Sequence, residues 1–257
     1  MPRNDPRLQQ GVAVVTGAGA GLGRALSVEL TRRGVTVAGV GRGEDGLKQT
    51  AELAGPAFHP LHVDVSDYEA VDAAFLKLAN DLGDPVLLIN NAAVYPRCDL
   101  LDETAESFMA TVGINLGGVV ACTQAALRGM VQTGFGRIVN VSTFADMFPL
   151  PASAAYTVSK GAARIYTRAA LADLGDRFPD IVINDWMPGM LATKIGIPDG
   201  LDPAQSAVWG VEMALWHDRS LNGTVFERDH EIPPSRGLKG RIKDALLLRR
   251  AGPVRHL

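Results

Sequence analysis

The sequence predicts an α/β fold: a doubly wound three-layer sandwich with a central, mostly parallel sheet of seven strands. Short apolar runs alternate with longer amphipathic runs along most of the chain, and this alternation indicates strand-helix repetition. Most of the short runs are apolar at nearly every position, which is typical of strands covered by helices on both faces. Right-handed crossovers between such strands then open a ligand crevice beyond their carboxyl ends.

The first predicted unit is a strand, a glycine-rich turn and a helix. The helix runs from about Leu22 to Arg33 and is closed by Gly34, because glycine is favoured just after a helix end. Six further strands follow along the chain. The seven predicted strands cover residues 11–17, 36–42, 58–65, 85–93, 136–143, 181–189 and 223–228.

Two helix starts have explicit capping signals. Ser66 with Glu69 has the spacing of a capping box, in which the two side chains satisfy backbone N–H groups reciprocally. Asp202 followed by Pro203 predicts an N-cap with proline at the first helical position.

Composition narrows the class of protein. The chain has 257 residues, 47% of them hydrophobic, and a formal net charge of −3, so no basic excess indicates a nucleic-acid partner. Cys98 and Cys122 cannot form a disulfide framework. No signal-like segment or membrane span is apparent, and we expect a cytoplasmic protein. We predict a flexible arm over residues 1–10, one domain over 11–235 and a basic tail over 236–257.

The turn after the first strand reads "VVTGAGAGLGRAL". Gly17, Gly21 and Gly23 let a pyrophosphate approach the backbone, and the following helix offers its N-terminal N–H groups to it. The spacing differs from GxGxxG, so the turn by itself is modest support for dinucleotide binding.

Tyr156 and Lys160 are four residues apart in "SAAYTVSKGAAR" and share one face of a predicted helix. Such a pair also occurs by chance on solvated helices. A phenol titrates near pH 10, and a nearby ammonium favours the phenolate. The spacing therefore fits an acid/base pair in which Lys160 lowers the pKa of Tyr156.

Taken together in chain order, the motifs resemble the short-chain dehydrogenase/reductase family of the single-domain type, from about Gly11 to Glu227. The motifs that carry this resemblance are the glycine-rich turn, "NNAA" at 90–93, Asn115 in "GINLGG", Tyr156 with Lys160, and Pro188-Gly189. The resemblance implies a Rossmann-like fold and an NAD(P)H-dependent oxidoreductase that interconverts a ketone or aldehyde and an alcohol by hydride transfer.

The resemblance also implies roles for individual residues. Tyr156 would be the acid/base, Lys160 would bind the nicotinamide ribose, and Asn115 would hold a water that relays protons. Asn90 would tie adjacent strands together. The residues expected to bind the cofactor are Gly17, Gly19, Gly21, Leu22, Gly23, Arg42, Asp64, Val65, Asn91, Ala92, Tyr156, Lys160, Pro188, Gly189 and Thr193.

The hydroxyl donor that polarises the carbonyl departs from the family pattern. The family has a serine thirteen positions before the tyrosine, where this chain has Thr143. A threonine hydroxyl can donate the same bond. We favour Thr143 over the neighbouring Ser142, because a shift of one residue on a strand sends the side chain to the other face; a local bulge would favour Ser142 instead.

Cofactor preference depends on the end of the second strand. In relatives that prefer NAD, an acid there binds the ribose hydroxyls, whereas a nearby arginine accommodates a 2′-phosphate. This chain has Gly41 and Arg42 at that place, which favours NADP(H). Arg42 facing solvent, paired with Glu44 or Asp45, is the alternative.

Loops after the fourth, fifth and sixth strands would set the substrate and are rich in apolar residues, which favours an apolar ketone or alcohol. These residues are Tyr95, Phe144, Met147, Phe148, Leu150, Met190, Ile195 and Ile197. Arg97 and Asp146 would either anchor a charged group or be solvated. The alternative functions are a dinucleotide-binding regulatory or scaffold protein without turnover, and a dehydratase or epimerase.

The tail after residue 235 holds seven basic residues and one acidic residue. It would pack on a neighbouring subunit, cover the active site, touch an anionic surface or remain a mobile tail.

The resemblance implies a homodimer or homotetramer, partly through helices starting near Ala105 and Ala155. The five histidines do not cluster like ligands, so no metal is expected. The residues that could form one face of a tail helix are Ile242, Ala245, Leu246 and Arg249.

Overall fold

The computed structural model describes residues 5–233 and 254–257. Its strands are β1 Val12–Thr16, β2 Thr36–Gly41, β3 Phe58–His62, β4 Pro85–Asn90, β5 Gly136–Val141, β6 Ile181–Met187, β7 Val225–Glu227 and β8 His230–Ile232. Its α-helices are α1 Pro6–Gln10, α2 Gly21–Arg32, α3 Glu44–Ala54, α4 Tyr68–Leu82, α5 Ala105–Val112, α6 Gly118–Thr133, α7 Ala154–Leu174 and α8 Pro203–Leu215. A π-helical turn spans Gly113–Gly117 and a 3-10 turn spans Arg219–Leu221.

The strands form one sheet in the order β3-β2-β1-β4-β5-β6-β7-β8. Strands β1 to β7 are parallel, and β8 pairs antiparallel with β7. The predicted Rossmann-like α/β class is confirmed. The short eighth strand was not predicted; it follows a tight turn in which Arg228 has a φ of 50°. The strand order reverses between β1 and β4, which is where a doubly wound sheet opens its ligand crevice.

The two predicted helix starts have different outcomes. The prediction for α8 is confirmed, because the Asp202 side chain accepts from the Ala204 N–H at 2.9 Å. The capping box of Ser66 with Glu69 is wrong. The Ser66 hydroxyl instead donates to Asp64 Oδ1 at 2.7 Å, and Asp67 caps α4 one residue later.

The flexible N-terminal arm is wrong for residues 5–10, which include α1. The Asp5 side chain caps this helix, and Pro6 takes its first position, where a missing N–H costs nothing. Leu8 is fully buried in the core, and the Arg7 guanidinium stacks 3.7 Å from the centre of the Phe135 ring. A single buried leucine and one cation–π contact therefore hold the segment against the sheet.

The last four residues dock on the sheet edge, so a mobile tail is wrong for residues 254–257. The Arg255 guanidinium donates to both carboxylate oxygens of Glu231, at 2.6 and 2.8 Å. The Leu257 N–H donates to the Asp229 carbonyl oxygen at 2.8 Å, and the Leu257 side chain packs against the core. The predicted tail helix lies outside the described residues.

Two apolar layers cover the two faces of the sheet, one under α2 and α8 and the other under α4 and α6. Within the described residues, the continuous helical stretch 105–133 is long and apolar enough to cross a membrane by length and composition, and 44% of its most apolar window is buried inside the protein. Core helices also meet these two criteria, and α6 packs against β4 and α4.

Candidate active site

The glycine-rich turn lies at the carboxyl end of β1. Gly17 has a φ of 70°, and a Cβ there would lie 2.9 Å from Asn91 Nδ2. A Cβ on Gly23 would lie 2.2 Å from the Gly17 carbonyl oxygen. These glycines therefore fold the turn tightly against the end of β4, so that its backbone faces the crevice.

Further residues that were predicted to bind the cofactor lie at the start of α2 and in the segment after β6. Gly21 opens α2 and lies beside Thr193, whose Cγ2 would be 3.2 Å from a Cβ on that glycine. Leu22 is buried in the core, so it offers the crevice only its backbone. Pro188 and Gly189 directly follow β6, and Gly189 has a φ of 89°.

A cavity of about 150 Å³ lies at the ends of β1 to β4. It is lined by Gly17, Gly41, Arg42, Val63, Asp64, Val65, Ala92, Ala93, Val94 and Ile114. Asn91 does not line it; its side-chain amide donates to the Thr16 carbonyl oxygen at 2.8 Å, which ties β4 to β1. The lining of this cavity fits a dinucleotide, because it combines a glycine-rich turn, an arginine side chain and backbone groups that face the cavity.

Arg42 and Asp64 form a loose pair at the rim of this cavity. Arg42 Nη1 lies 3.5 Å from Asp64 Oδ2, and the Arg42 side chain is 59% exposed. Burial alone would raise the pKa of Asp64, but the hydrogen bonds from Ser66 and the charge of Arg42 lower it overall. Because exposed pairs contribute at most about 1 kcal/mol, Arg42 can exchange Asp64 for an anionic ligand.

Tyr156 and Lys160 lie on α7 and both reach the end of β5. Lys160 Nζ donates to the Val141 carbonyl oxygen at 2.5 Å, and the Thr143 side chain is hydrogen-bonded to the Tyr156 phenol. Ser142 Oγ is buried and has no hydrogen-bond partner within the described part of the chain. Thr143, rather than Ser142, therefore contacts the phenol.

The phenol is covered by a second tyrosine. The Tyr95 ring stacks on the Tyr156 ring with centroids 4.3 Å apart and planes at 23°. Burial raises the pKa of Tyr156, the hydrogen bond from Thr143 opposes the rise, and Tyr95 adds to it. Lys160 is not among the groups that shift this pKa, so the expectation that Lys160 lowers the pKa of Tyr156 is wrong. The reason is that its ammonium is directed at Val141.

Asn115 lies in the π-helical turn, fully buried. Its side chain accepts from the Val94 N–H at 2.8 Å and donates to the Val94 carbonyl oxygen at 2.9 Å. It also donates to Ser159 Oγ at 3.0 Å, and Ser159 in turn donates to the Tyr156 carbonyl oxygen. Asn115 thus joins the loop that carries Tyr95 to the helix that carries the phenol.

Two residues considered as anchors for a charged group differ in their surroundings. Asp146 accepts from Arg164 Nη1 at 2.9 and 2.7 Å, so it anchors the loop after β5 to α7 and is not solvated. Arg97 is exposed, with its guanidinium 5.6 Å from the centre of the Tyr95 ring.

The comparisons with known proteins agree with this geometry. A family model described as short chain dehydrogenase matches residues 11–202. The chain therefore belongs to the short-chain dehydrogenase/reductase family.

Several curated relatives are oxidoreductases. The chain is 31% identical to the 3-oxoacyl-[acyl-carrier-protein] reductase FabG of Pseudomonas aeruginosa, over 73% of this chain and 76% of that protein. It is 34% identical to carbonyl reductase [NADPH] 2 of Sus scrofa, over 74% and 76%. It is 35% identical to the protein named probable oxidoreductase EphD of Mycobacterium tuberculosis, over 70% of this chain but only 31% of that protein. The chain thus spans about a third of EphD, whose remaining length has no counterpart in the match.

A solved structure described as a gluconate dehydrogenase from Agrobacterium tumefaciens superimposes with a TM-score of 0.78. The superposition covers 86% of this chain and 94% of that one, at 23% identity. At this identity the likeness establishes the fold alone.

Proposed function

We propose that the chain is an NADP(H)-preferring reductase that interconverts a ketone or aldehyde and an alcohol on an apolar small molecule. The observation that carries this proposal is the convergence of Tyr156, Lys160 and Thr143 at the end of β5, together with a cavity at the neighbouring strand ends whose lining fits a dinucleotide. NADPH, when bound, supplies the hydride.

In this proposal Tyr156 donates the proton to the forming alkoxide. Its raised pKa keeps the phenol protonated at neutral pH, which is the state that reduction requires. Thr143 directs the phenol and polarises the substrate carbonyl. Lys160 holds the cofactor ribose, and Asn115 takes part in proton resupply. In the oxidation direction the cationic ring of NADP⁺ would lower the pKa of Tyr156.

Arg42 supports the preference for NADP(H). Its side chain is exposed, and its partner Asp64 lies at 3.5 Å, so a 2′-phosphate can replace this weak contact with a charge-assisted one. The relative from Sus scrofa, whose name specifies NADPH, points the same way.

Exposed apolar side chains support an apolar substrate. Met147, Phe148 and Leu150 follow β5, and Met190 and Ile195 follow β6, all of them exposed. A further cavity of about 250 Å³, lined mostly by apolar side chains such as Leu100 and Leu150, lies beside the start of α7. Apolar surface that is exposed around a cavity supports a binding site for an apolar molecule.

We also propose that the chain forms a homodimer or homotetramer in the cytoplasm. Met109 of α5 and Val158 and Ile165 of α7 are exposed, and these helices are the ones that the resemblance assigns to subunit contacts. Light scattering on the purified full chain measures the assembly; a monomer at all concentrations would overturn it.

The test of function is a panel of apolar ketones, aldehydes and alcohols with NADPH, NADH and their oxidised forms, followed by absorbance of the reduced nicotinamide. We expect turnover with NADPH well above that with NADH. Tight NADPH binding with no turnover on any member would favour the regulatory alternative, and product formation without net NADPH consumption would favour dehydration or epimerisation.

A further inference from the structure

A row of polar side chains crosses three central strands at or near their carboxyl ends. Asn90 of β4 is the Cα partner of Asn140 of β5, which is the partner of Asp185 of β6. All three are nearly fully buried, and Asn90 Nδ2 donates to Asn140 Oδ1 at 2.8 Å. A carboxylate in such a place requires hydrogen bonds and an opposite charge, because burial disfavours its charged form.

Helix α7 covers Asn140 and Asp185 of this row and carries the lysine of the proposed catalytic pair. Asn140 Nδ2 donates to Thr167 Oγ1 at 2.9 Å, and Thr167 Oγ1 donates to Asp185 Oδ1 at 3.0 Å. Lys160 and Thr167 lie about two turns apart on the buried face of α7, with Ala163 between them. Asp185 and Lys160 therefore share one buried layer between α7 and the sheet.

The two buried charges act on each other without direct contact. Lys160 directs its ammonium at Val141 rather than at Asp185. Burial lowers the pKa of Lys160 to about 8, and the charge of Asp185 opposes this fall. Within the part of the chain that the structure describes, Asp185 is the only acid that acts on the Lys160 pKa. Burial raises the pKa of Asp185 to about 7, and the hydrogen bond from Thr167 opposes that rise.

Two arginines of α7 also lower the pKa of Asp185, and Arg164 does so more strongly than Lys160, but both differ from Lys160 in their surroundings. Arg164 is bound to Asp146 through two contacts, so its charge is shared. Arg168 is exposed, so water screens its charge. Lys160 is the one cation of the three that is nearly fully buried.

We propose that Asp185 is the buried counter-ion of Lys160, a positioning residue that keeps the lysine charged at the end of β5. The proposal rests on the proposed function for the role of Lys160. The coupling of the two charges is a property of the folded chain, and it can be measured without turnover.

The test is a thermal-unfolding cycle on the full chain: wild type, Lys160→Met, Asp185→Asn and the double variant. At about pH 7.5, where both groups carry charge, Asp185→Asn should raise the midpoint by about 2 °C more in the Lys160→Met background than in wild type, because there it removes an unbalanced buried charge. At about pH 5 Asp185 is protonated, and the two backgrounds should respond alike.

Asp173→Asn, on the exposed face of α7, is the matched control. It should shift the unfolding midpoint equally in wild type and in the Lys160→Met background. Should Lys160→Met fail to fold, Lys160→Gln takes its place. An Asp185→Asn effect that is equal in both backgrounds at about pH 7.5 would overturn the proposal.

A second readout separates positioning from mere packing. In Asp185→Asn the alkaline limb of the pH profile of kcat for reduction should move to lower pH by about half a unit or more. The reason is that Lys160 loses its proton more easily without the carboxylate. An unmoved limb contradicts the proposal. A chain with no turnover at all would contradict the proposed function. The thermal-unfolding cycle would still show whether Asp185 is the counter-ion of Lys160.

Discussion

The two halves of the crevice are built in opposite ways. In the half that we propose to be catalytic, around β4 to β6, Lys160, Asn115 and Asp185 are buried and each is hydrogen-bonded to another element. In the nucleotide half, Arg42 and Asp64 meet loosely at 3.5 Å near solvent. Chemistry needs charges fixed in a low-dielectric place, whereas cofactor choice needs only one side chain that can exchange partners. We therefore expect substitutions in the first half to lower both stability and turnover. Substitutions in the second half should change only the preference between NADPH and NADH.

The largest expected effect is on the phenol. Tyr156→Phe removes the proton donor, and we expect kcat to fall by about 10³-fold, within the usual contribution of acid/base catalysis, while NADPH affinity stays nearly unchanged. Steady-state kinetics and a fluorescence titration of NADPH measure the two. Tyr166→Phe, on the same helix, is the control and should retain activity. Undiminished turnover in Tyr156→Phe would refute the assignment.

The next largest effect is expected at Asn115, whose side chain clamps the loop that carries Tyr95 to α7. Asn115→Ala deletes three hydrogen bonds and leaves the backbone N–H and C=O of Val94 without their partners. We expect the free energy of unfolding to fall by about 3 kcal/mol, together with a loss of kcat. Denaturant unfolding gives the first value. A loss of activity with unchanged stability would show that the clamp is not structural.

The nucleotide half should respond more narrowly. Arg42→Ala should raise the KM for NADPH by about 10-fold or more, since a charge-assisted bond to a phosphate is lost, and leave the KM for NADH and the unfolding midpoint unchanged. Arg128→Ala removes a surface arginine that pairs with Asp72 and serves as control. An equal effect on both cofactors would remove the basis for the NADP(H) preference.

The smallest effect concerns the tyrosine stack. Tyr95→Leu uncovers the Tyr156 ring, so its pKa should fall and the acid limb of alcohol oxidation should move to lower pH by about half a unit. Tyr95→Phe retains the stack and removes only the charge contribution of the second phenol, so it should move the limb by less than Tyr95→Leu does. The pH dependence of kcat measures both, and identical profiles for Tyr95→Leu and wild type would count against a role for Tyr95.

The sequence predicted what depends on local pattern. The turn around Gly17, the alternation of parallel strands with helices and the common face of Tyr156 and Lys160 follow from spacing and periodicity. What depends on tertiary contacts was missed. Lys160 directs its ammonium at Val141, and the Ser66 hydroxyl binds Asp64 in place of capping α4. No pattern along the chain distinguishes these bonds from their alternatives.

Asp185 is the clearest example of a residue that the sequence leaves unmarked. In "IVINDWMPG" it reads as one polar position in a strand. The role that we propose for it arises from the register that aligns it with Asn140 and from the helix that covers both. Such a role depends on three separate elements meeting, which periodicity does not encode.

The acid/base role proposed for Tyr156 is tested most closely by titrating its phenol. The chain has four tyrosines, so NMR of ring-labelled tyrosine, with Tyr156→Phe for assignment, can follow it with and without NADP⁺. We expect a pKa above the ordinary value of 10.0 in the protein alone, because burial outweighs the Thr143 hydrogen bond, and a lower pKa once NADP⁺ is bound. A phenol that NADP⁺ leaves unchanged, or one that already titrates below its ordinary value in the protein alone, would contradict this role.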